Sequence, residues 1–295
     1  MGNFLLWYNL RVKNTAKSKK NLLWHTPGQF GAKAILTSFL QAKPGLALPH
    51  AFLFLGPSGI GKYKFAKEFA AKIHQSTNSA PEQYEFDFAT TNSVGELRQL
   101  IAFSALTAAG NSKKIFLLRN FHLAQTSSLN ILLKTLEEPA PSSLFLLISD
   151  KGGTLPTIMS RVVPVRCFPS WNETDAVGLS AMLVTAVRGY PELARDLTQN
   201  EPLAQKLEKI LKQLQDAQSV GAGLVLLSQL SDLEARELQL VMQLWANLLQ
   251  QNLLVEPNQR QVARILRAVQ TAHTELSYNF NTKLVLQELF IQSKV

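Results

Sequence analysis

Residues 56–63, Gly56-Pro57-Ser58-Gly59-Ile60-Gly61-Lys62-Tyr63, have the types and spacing in this chain that speak most directly of chemistry. Glycines let successive backbone N–H groups turn toward one point, and a lysine opening the next helix can reach the outer oxygens of a polyphosphate held there. The apolar run 51–55 (AFLFL) lies before the segment, and Phe65, Phe69 and Ile73 follow at helical spacing. Together they predict strand, loop and helix, the context a phosphate-binding loop requires. Gly56, Ser58, Gly59, Gly61, Lys62 and Tyr63 are therefore the candidate nucleotide-binding residues.

The chemistry this loop supports is curtailed by what surrounds it. A hydrolysing loop carries Ser or Thr after the lysine, whose hydroxyl ligates Mg²⁺; here the position is Tyr63, and a phenol is too long for that place. A second metal contribution normally comes from a carboxylate ending a later strand, yet residues 115–118 (IFLL) run into Arg119-Asn120-Phe121-His122. Arg119 and Asn120 thus occupy degenerate metal positions, and Arg119 adds positive charge where a dication would sit. Losing such elements costs factors of about 100 to 1,000 each in phosphoryl transfer. No autonomous ATPase activity is expected, no cofactor is certain, and any ATP binding should be weak. One cysteine, Cys167, and five scattered histidines supply no recognisable zinc set, so no metal site is expected.

The elements positioning these residues are legible from periodicity. Runs 51–55, 115–118, 144–148 (LFLLI) and 162–165 (VVPV) are too short for helices; the first three lack polar alternation, as strands covered on both faces do. Pro164 marks the fourth as an edge strand. Val94, Leu97, Ile101 and Ala105, then Leu129, Leu132, Leu133 and Leu136, repeat at helical spacing between them, predicting an α/β layered domain with a parallel sheet through about residue 169. Beyond it the β signal ends. Helical stripes take over: one opened by Asn172, Glu173 and Thr174, a second after Gly189-Tyr190-Pro191, then Leu238 to Leu248, Val262 to Val269, and a last helix capped by Asn281 and Thr282. The expected division is a basic arm over 1–20, an α/β domain over 21–169, a small helical domain over 170–220 and a helical bundle over 221–295, with 219–223 as linker.

Charge is local. The chain of 295 residues carries a formal net charge of +9, but residues 1–67 hold ten Lys or Arg and no carboxylate, leaving 20 basic against 21 acidic residues elsewhere. The arm of Arg11, Lys13, Lys17, Lys19 and Lys20 suits either a solvated terminus or phosphate contact. With 46% hydrophobic residues, disordered and collagen-like classes are excluded. No apolar run approaches the ~20 residues of a membrane span, so no membrane partner and a reducing, cytoplasmic location are expected.

At residues 129–139 (LNILLKTLEEP) the chain closely resembles the AAA+ subunits of bacterial clamp loaders, the gamma/tau and delta-prime components of DNA polymerase III. The order around it also matches: 50–56 into the phosphate loop, Ser93-Val94 through Ile101, Lys113-Lys114-Ile115, and 155–161 (LPTIMSR). The likeness is strong over about residues 20–170 and weaker beyond, chiefly at 278–281 (YNFN) and Leu284. It implies a AAA+ P-loop domain followed by a helical lid and an all-α collar that assembles a five-membered loader. It implies gamma/tau and delta subunits as partners, the sliding clamp and primed DNA reached through the complex, and a nucleoid-associated place in the bacterial cytoplasm.

The resemblance also implies that the Ser160-Arg161 pair supplies an arginine finger to ATP on the adjacent subunit, a role suited to a permanently charged, forked guanidinium. The third position of that motif, usually Cys, is Val162. Asn130, Lys134 and Glu138 of the signature run are candidates to face the neighbour. Degenerate metal positions, Gly189-Tyr190-Pro191 where active members read Gly-Ser-Leu-Arg, and the missing cysteine cluster bring the chain nearest the delta-prime pattern. Two readings of other classes stay beside it: an autonomous P-loop ATPase or kinase with unusual metal ligands, and a basic DNA-binding protein acting through the N-terminal excess.

Overall fold

The computed structural model describes residues 23–41, 48–77, 82–91, 93–105, 113–150, 156–170, 176–216, 226, 229–255, 259–276 and 280–294. The basic arm over 1–20, the helix opening at Asn172 and the 219–223 linker lie outside these. The chain divides into two compact units, Met1–Ser170 and Trp171–Val295.

In the first unit the elements are α1 (Phe30–Leu40), β1 (Ala51–Leu55), α2 (Lys62–Thr77), β2 (Glu82–Asp87), α3 (Val94–Ala105), β3 (Lys114–Arg119), α4 (Thr126–Glu137), β4 (Ser143–Ser149), α5 (Pro156–Met159) and β5 (Val163–Arg166). A short 3₁₀ turn, Phe121–Leu123, joins β3 to α4. The five strands form one parallel sheet in the order β2-β3-β4-β1-β5. Central strands β1 and β4 pair in register from Ala51 with Phe145 to Leu55 with Ser149, and β4 is buried along its whole length. Continuous apolar runs are what helices on both sheet faces demand.

All four predicted strands are present. Pro164 does lie on an edge strand, β5, which pairs with β1 alone. The fifth strand, β2 (EQYEFD), is the other edge. Its polar residues hid it, because an edge strand keeps one side in water and needs no apolar run. Phe52, Phe54, Phe65 and Phe69 interlock beneath the phosphate loop in tilted and edge-to-face pairs with ring centroids 5.1–6.5 Å apart, the geometry aromatic quadrupoles favour. That cluster fixes α2, and with it Lys62, against β1.

The second unit contains α6 (Ala181–Ala186), α7 (Pro191–Gln199), α8 (Glu201–Asp216), α9 (Ala235–Val255), α10 (Arg260–Leu276) and α11 (Thr282–Lys294). Pro191 starts α7 at a position where its missing N–H has no helical partner to lose. The Asn281 side chain accepts from the Lys283 and Leu284 amides and caps α11. One core runs from Ala176 to Leu289 and takes residues from each of α6–α11. Segments expected as a lid over 170–220 and a collar over 221–295 therefore share buried apolar surface. Asn247 of α9, 6% exposed, donates to the Ala186 carbonyl oxygen at 2.9 Å and satisfies one of the carbonyls at the end of α6.

Candidate functional site: a filled phosphate loop and a cradled arginine

The phosphate loop leaves β1 at the carboxyl end of the sheet, where open α/β folds hold their ligands. Gly59 (φ 77°) and Gly61 (φ 87°) are in the left-handed region, which Cβ-bearing residues rarely adopt. A Cβ at Gly56 would lie 2.4 Å from the Cys167 carbonyl oxygen, so the loop root tolerates no side chain. The loop thus holds its glycines at backbone positions that a side chain would disturb.

Its lysine is engaged from within. Lys62, with 3% of its side chain exposed, pairs through Nζ with Asp150 Oδ1 at 2.8 Å and donates to the Pro57 carbonyl. Asp150 stands just past the end of β4, the neighbour of β1. The ammonium predicted to meet outer phosphates meets a carboxylate of its own chain instead. Sequence reasoning missed Asp150; the available signal was its place directly after a buried strand, at the sheet edge where ligands of the loop converge.

Tyr63 and Arg119, drawn from the two degenerate metal positions, come together. The Arg119 guanidinium carbon lies 4.3 Å from the Tyr63 ring centroid, a stacked cation–π contact. Tyr63 donates to Glu85 at 2.6 Å, Arg119 pairs with Asp87 at 3.5 Å, and the Asn120 amide donates to the other oxygen of Asp87 at 2.6 Å. Asn120 itself has a left-handed backbone (φ 51°), a conformation asparagine tolerates better than most residues. Burial, then the hydrogen bond to Glu85, raises the Tyr63 phenol. Burial alone would raise Glu85 too, but donation from Tyr63 and Lys67 outweighs it and holds the carboxyl below its ordinary range. The Tyr63 ring and the Arg119 guanidinium, at the degenerate metal positions, are held by Glu85 and Asp87 at the C-terminal end of β2. No group of three or more His, Cys, Asp or Glu suited to a metal occurs among the described residues.

Ser160 and Arg161 lie elsewhere, between α5 and β5. Arg161 Nη2 pairs with Glu137 Oε1 at 2.8 Å, and Nη1 donates to the Thr157 carbonyl at 2.7 Å and to Ser160 Oγ at 3.0 Å. Arg161 thus has a carboxylate partner within its own chain, and Glu137 is a second residue that sequence reasoning passed over. None of these contacts reaches the chain's own phosphate loop. Asn130 and Lys134 on α4 and Glu138 at its C-cap are exposed, and the helix ends at Glu137 beside the arginine.

The parallel sheet, its strand order and the glycine-rich loop between β1 and α2 define a P-loop-type α/β fold. Residues 83–170 match the family model described as DNA polymerase III, delta subunit. The chain is 30% identical over 188 residues to the DNA polymerase III subunit delta' of Pseudomonas aeruginosa, covering 55% of this chain and 51% of that protein. It is 31% identical over 155 residues to subunit gamma/tau of Mycoplasma genitalium (46% and 26%) and 30% identical over 148 residues to subunit tau of Bacillus subtilis (44% and 26%). The chain thus spans between a quarter and about half of the length of these relatives. Among solved structures, a gamma subunit-related protein from Thermotoga maritima is similar at a TM-score of 0.46 and 16% identity, over 89% of this chain and 98% of that one. Over these segments the chain is similar to subunits of DNA polymerase III.

Proposed function

We propose that this chain is a non-hydrolysing, delta-prime-like subunit of a bacterial clamp loader, working in the cytoplasm at the nucleoid. It presents Arg161 to ATP held by a neighbouring gamma/tau-type subunit, so that the sliding clamp is opened and placed on primed DNA. The delta subunit and the clamp complete its set of partners, and residues 221–295 serve as its collar.

The observation that carries this reading is the division of roles between two cations. Lys62 is satisfied by Asp150 and Pro57 inside its own loop, while Arg161 is held at the surface by groups remote from that loop. A chain built to hydrolyse ATP would keep the lysine for phosphate and supply a metal ligand. Here Tyr63 and Arg119 stand in place of both metal contributions.

The test is assembly with separate activity measurements. Mixed with gamma/tau and delta, the chain should enter one stoichiometric complex, and alone it should show no Mg²⁺-dependent ATP hydrolysis above a blank. Failure to enter the complex, or steady hydrolysis by the isolated chain, would return the autonomous-ATPase reading.

A further inference from the structure

Arg161 is tied to groups of its own subunit, and those ties bear on how a finger would work if the arginine has the role proposed above. We infer that Glu137 is a positioning residue for Arg161: its carboxylate, with the Thr157 carbonyl and Ser160 hydroxyl, holds the guanidinium ready for an anionic ligand on a neighbouring subunit.

Both Nη1 hydrogens are taken, at 2.7 Å by the Thr157 oxygen and at 3.0 Å by Ser160 Oγ, and one Nη2 hydrogen is taken at 2.8 Å by Glu137. A guanidinium has five N–H donors. Among the described residues, Nε–H and the second Nη2–H have no acceptor, and such a pair of donors can meet two oxygens of a phosphate. The side chain is 31% exposed and Glu137 51% exposed, so a ligand can approach without the pair being dismantled.

Glu137 does not stand there for helix stability. It is the last residue of α4 and Glu138 is its C-cap, so two carboxylates lie at the negative end of a helix dipole, where cations are favoured by about 0.3–1 kcal/mol. An exposed ion pair adds little to folding. What the arrangement does supply is order. A free arginine side chain loses much rotamer freedom when it must be fixed on a ligand, and fixing it beforehand lowers that cost at the moment of contact. The cradle also draws on two elements, α4 and the end of α5, so the position of the guanidinium depends on how the signature helix packs against the segment bearing the finger.

The experiment uses the reconstituted loader with DNA and clamp, comparing Arg161→Ala, Glu137→Ala, Glu137→Gln and Glu137→Lys, with assembly followed by sedimentation. Arg161→Ala should lower stimulated turnover about tenfold or more. Glu137→Ala should lower kcat about two- to fivefold with KM for ATP unchanged. Glu137→Gln, whose amide oxygen still accepts, should restore most of that loss. Glu137→Lys, which repels the finger, should fall to the level of Arg161→Ala, and Glu137→Ala combined with Arg161→Ala should lose nothing further. Wild-type turnover in Glu137→Ala while Arg161→Ala is impaired would overturn the positioning role alone. Faster turnover in both Glu137→Ala and Glu137→Gln would also overturn it, by showing a latch. No effect of Arg161→Ala in an assembled loader would overturn both this inference and the functional reading beneath it.

Discussion

A buried ammonium must have acceptors, and Lys62 finds them in Asp150 and Pro57. The consequence is testable at this one pair. Asp150→Ala should tighten binding of inorganic tripolyphosphate to the isolated chain about fivefold or more, without any requirement for Mg²⁺, because a charge-assisted bond is returned to the loop. The same change should lower stability by about 1–3 kcal/mol in the absence of the anion, since an almost fully buried charge is left short of a partner. Titration calorimetry and urea unfolding report the two effects; unchanged affinity would mean that Asp150 does not compete for the lysine. The loop was legible in the sequence because glycine spacing is local. The pairings of Lys62 with Asp150 and of Arg161 with Glu137 were not, because they join residues that only the sheet order and the packing of α4 bring together.

Between elements, a polar clasp joins the segment before α1 to α2. Glu68 accepts from the His25 and Thr26 amides and from the Thr26 hydroxyl, the last at 2.6 Å. Lys72, one turn on, donates to the Leu23 carbonyl and lies 4.9 Å from the Trp24 ring centroid. Burial pushes the Glu68 carboxyl up, but the hydrogen bonds from Thr26 and His25 and the charge of Lys72 outweigh it, leaving a net shift below 4.5. Glu85 is shifted the same way. A carboxyl lowered by folding contributes stability that is present above its unfolded pKa and is lost as pH falls through its folded one. Thermal stability should therefore hold from neutral pH down to about 4.5 at these two sites and decline below it, and Glu68→Gln should flatten part of that decline. A decline already complete by pH 6 would assign it to other groups. Elements with unbroken apolar runs, β1, β3 and β4, could be read directly from the chain. Strand β2 could not, since Glu82, Gln83, Glu85 and Asp87 look like a loop until Tyr84 and Phe86 are seen packing on one sheet.

At the scale of the whole molecule, the two units differ in what they hold. The α/β unit has the self-paired loop lysine and the cradled arginine; the helical unit has one core to which each of the helices α6–α11 contributes. Amphipathic spacing revealed those helices but not that α6–α8 and α9–α11 bury their faces together, because periodicity marks a buried face and not its partner. Asn247 is the polar point in that shared core. Asn247→Leu should lower stability by about 1–3 kcal/mol by leaving the Ala186 carbonyl without its donor, read as a lower urea midpoint at unchanged slope; a midpoint equal to wild type would mean that the Asn247 hydrogen bond adds nothing to folding.

The central proposal for this chain is that Arg161 acts on ATP held by a neighbouring subunit. The most direct measurement is the DNA- and clamp-stimulated ATPase of the assembled loader carrying Arg161→Ala in this subunit alone. The expected result is an intact complex in which turnover falls about tenfold or more, beside an isolated chain that hydrolyses nothing. An intact complex with undiminished turnover would contradict the proposed role of Arg161.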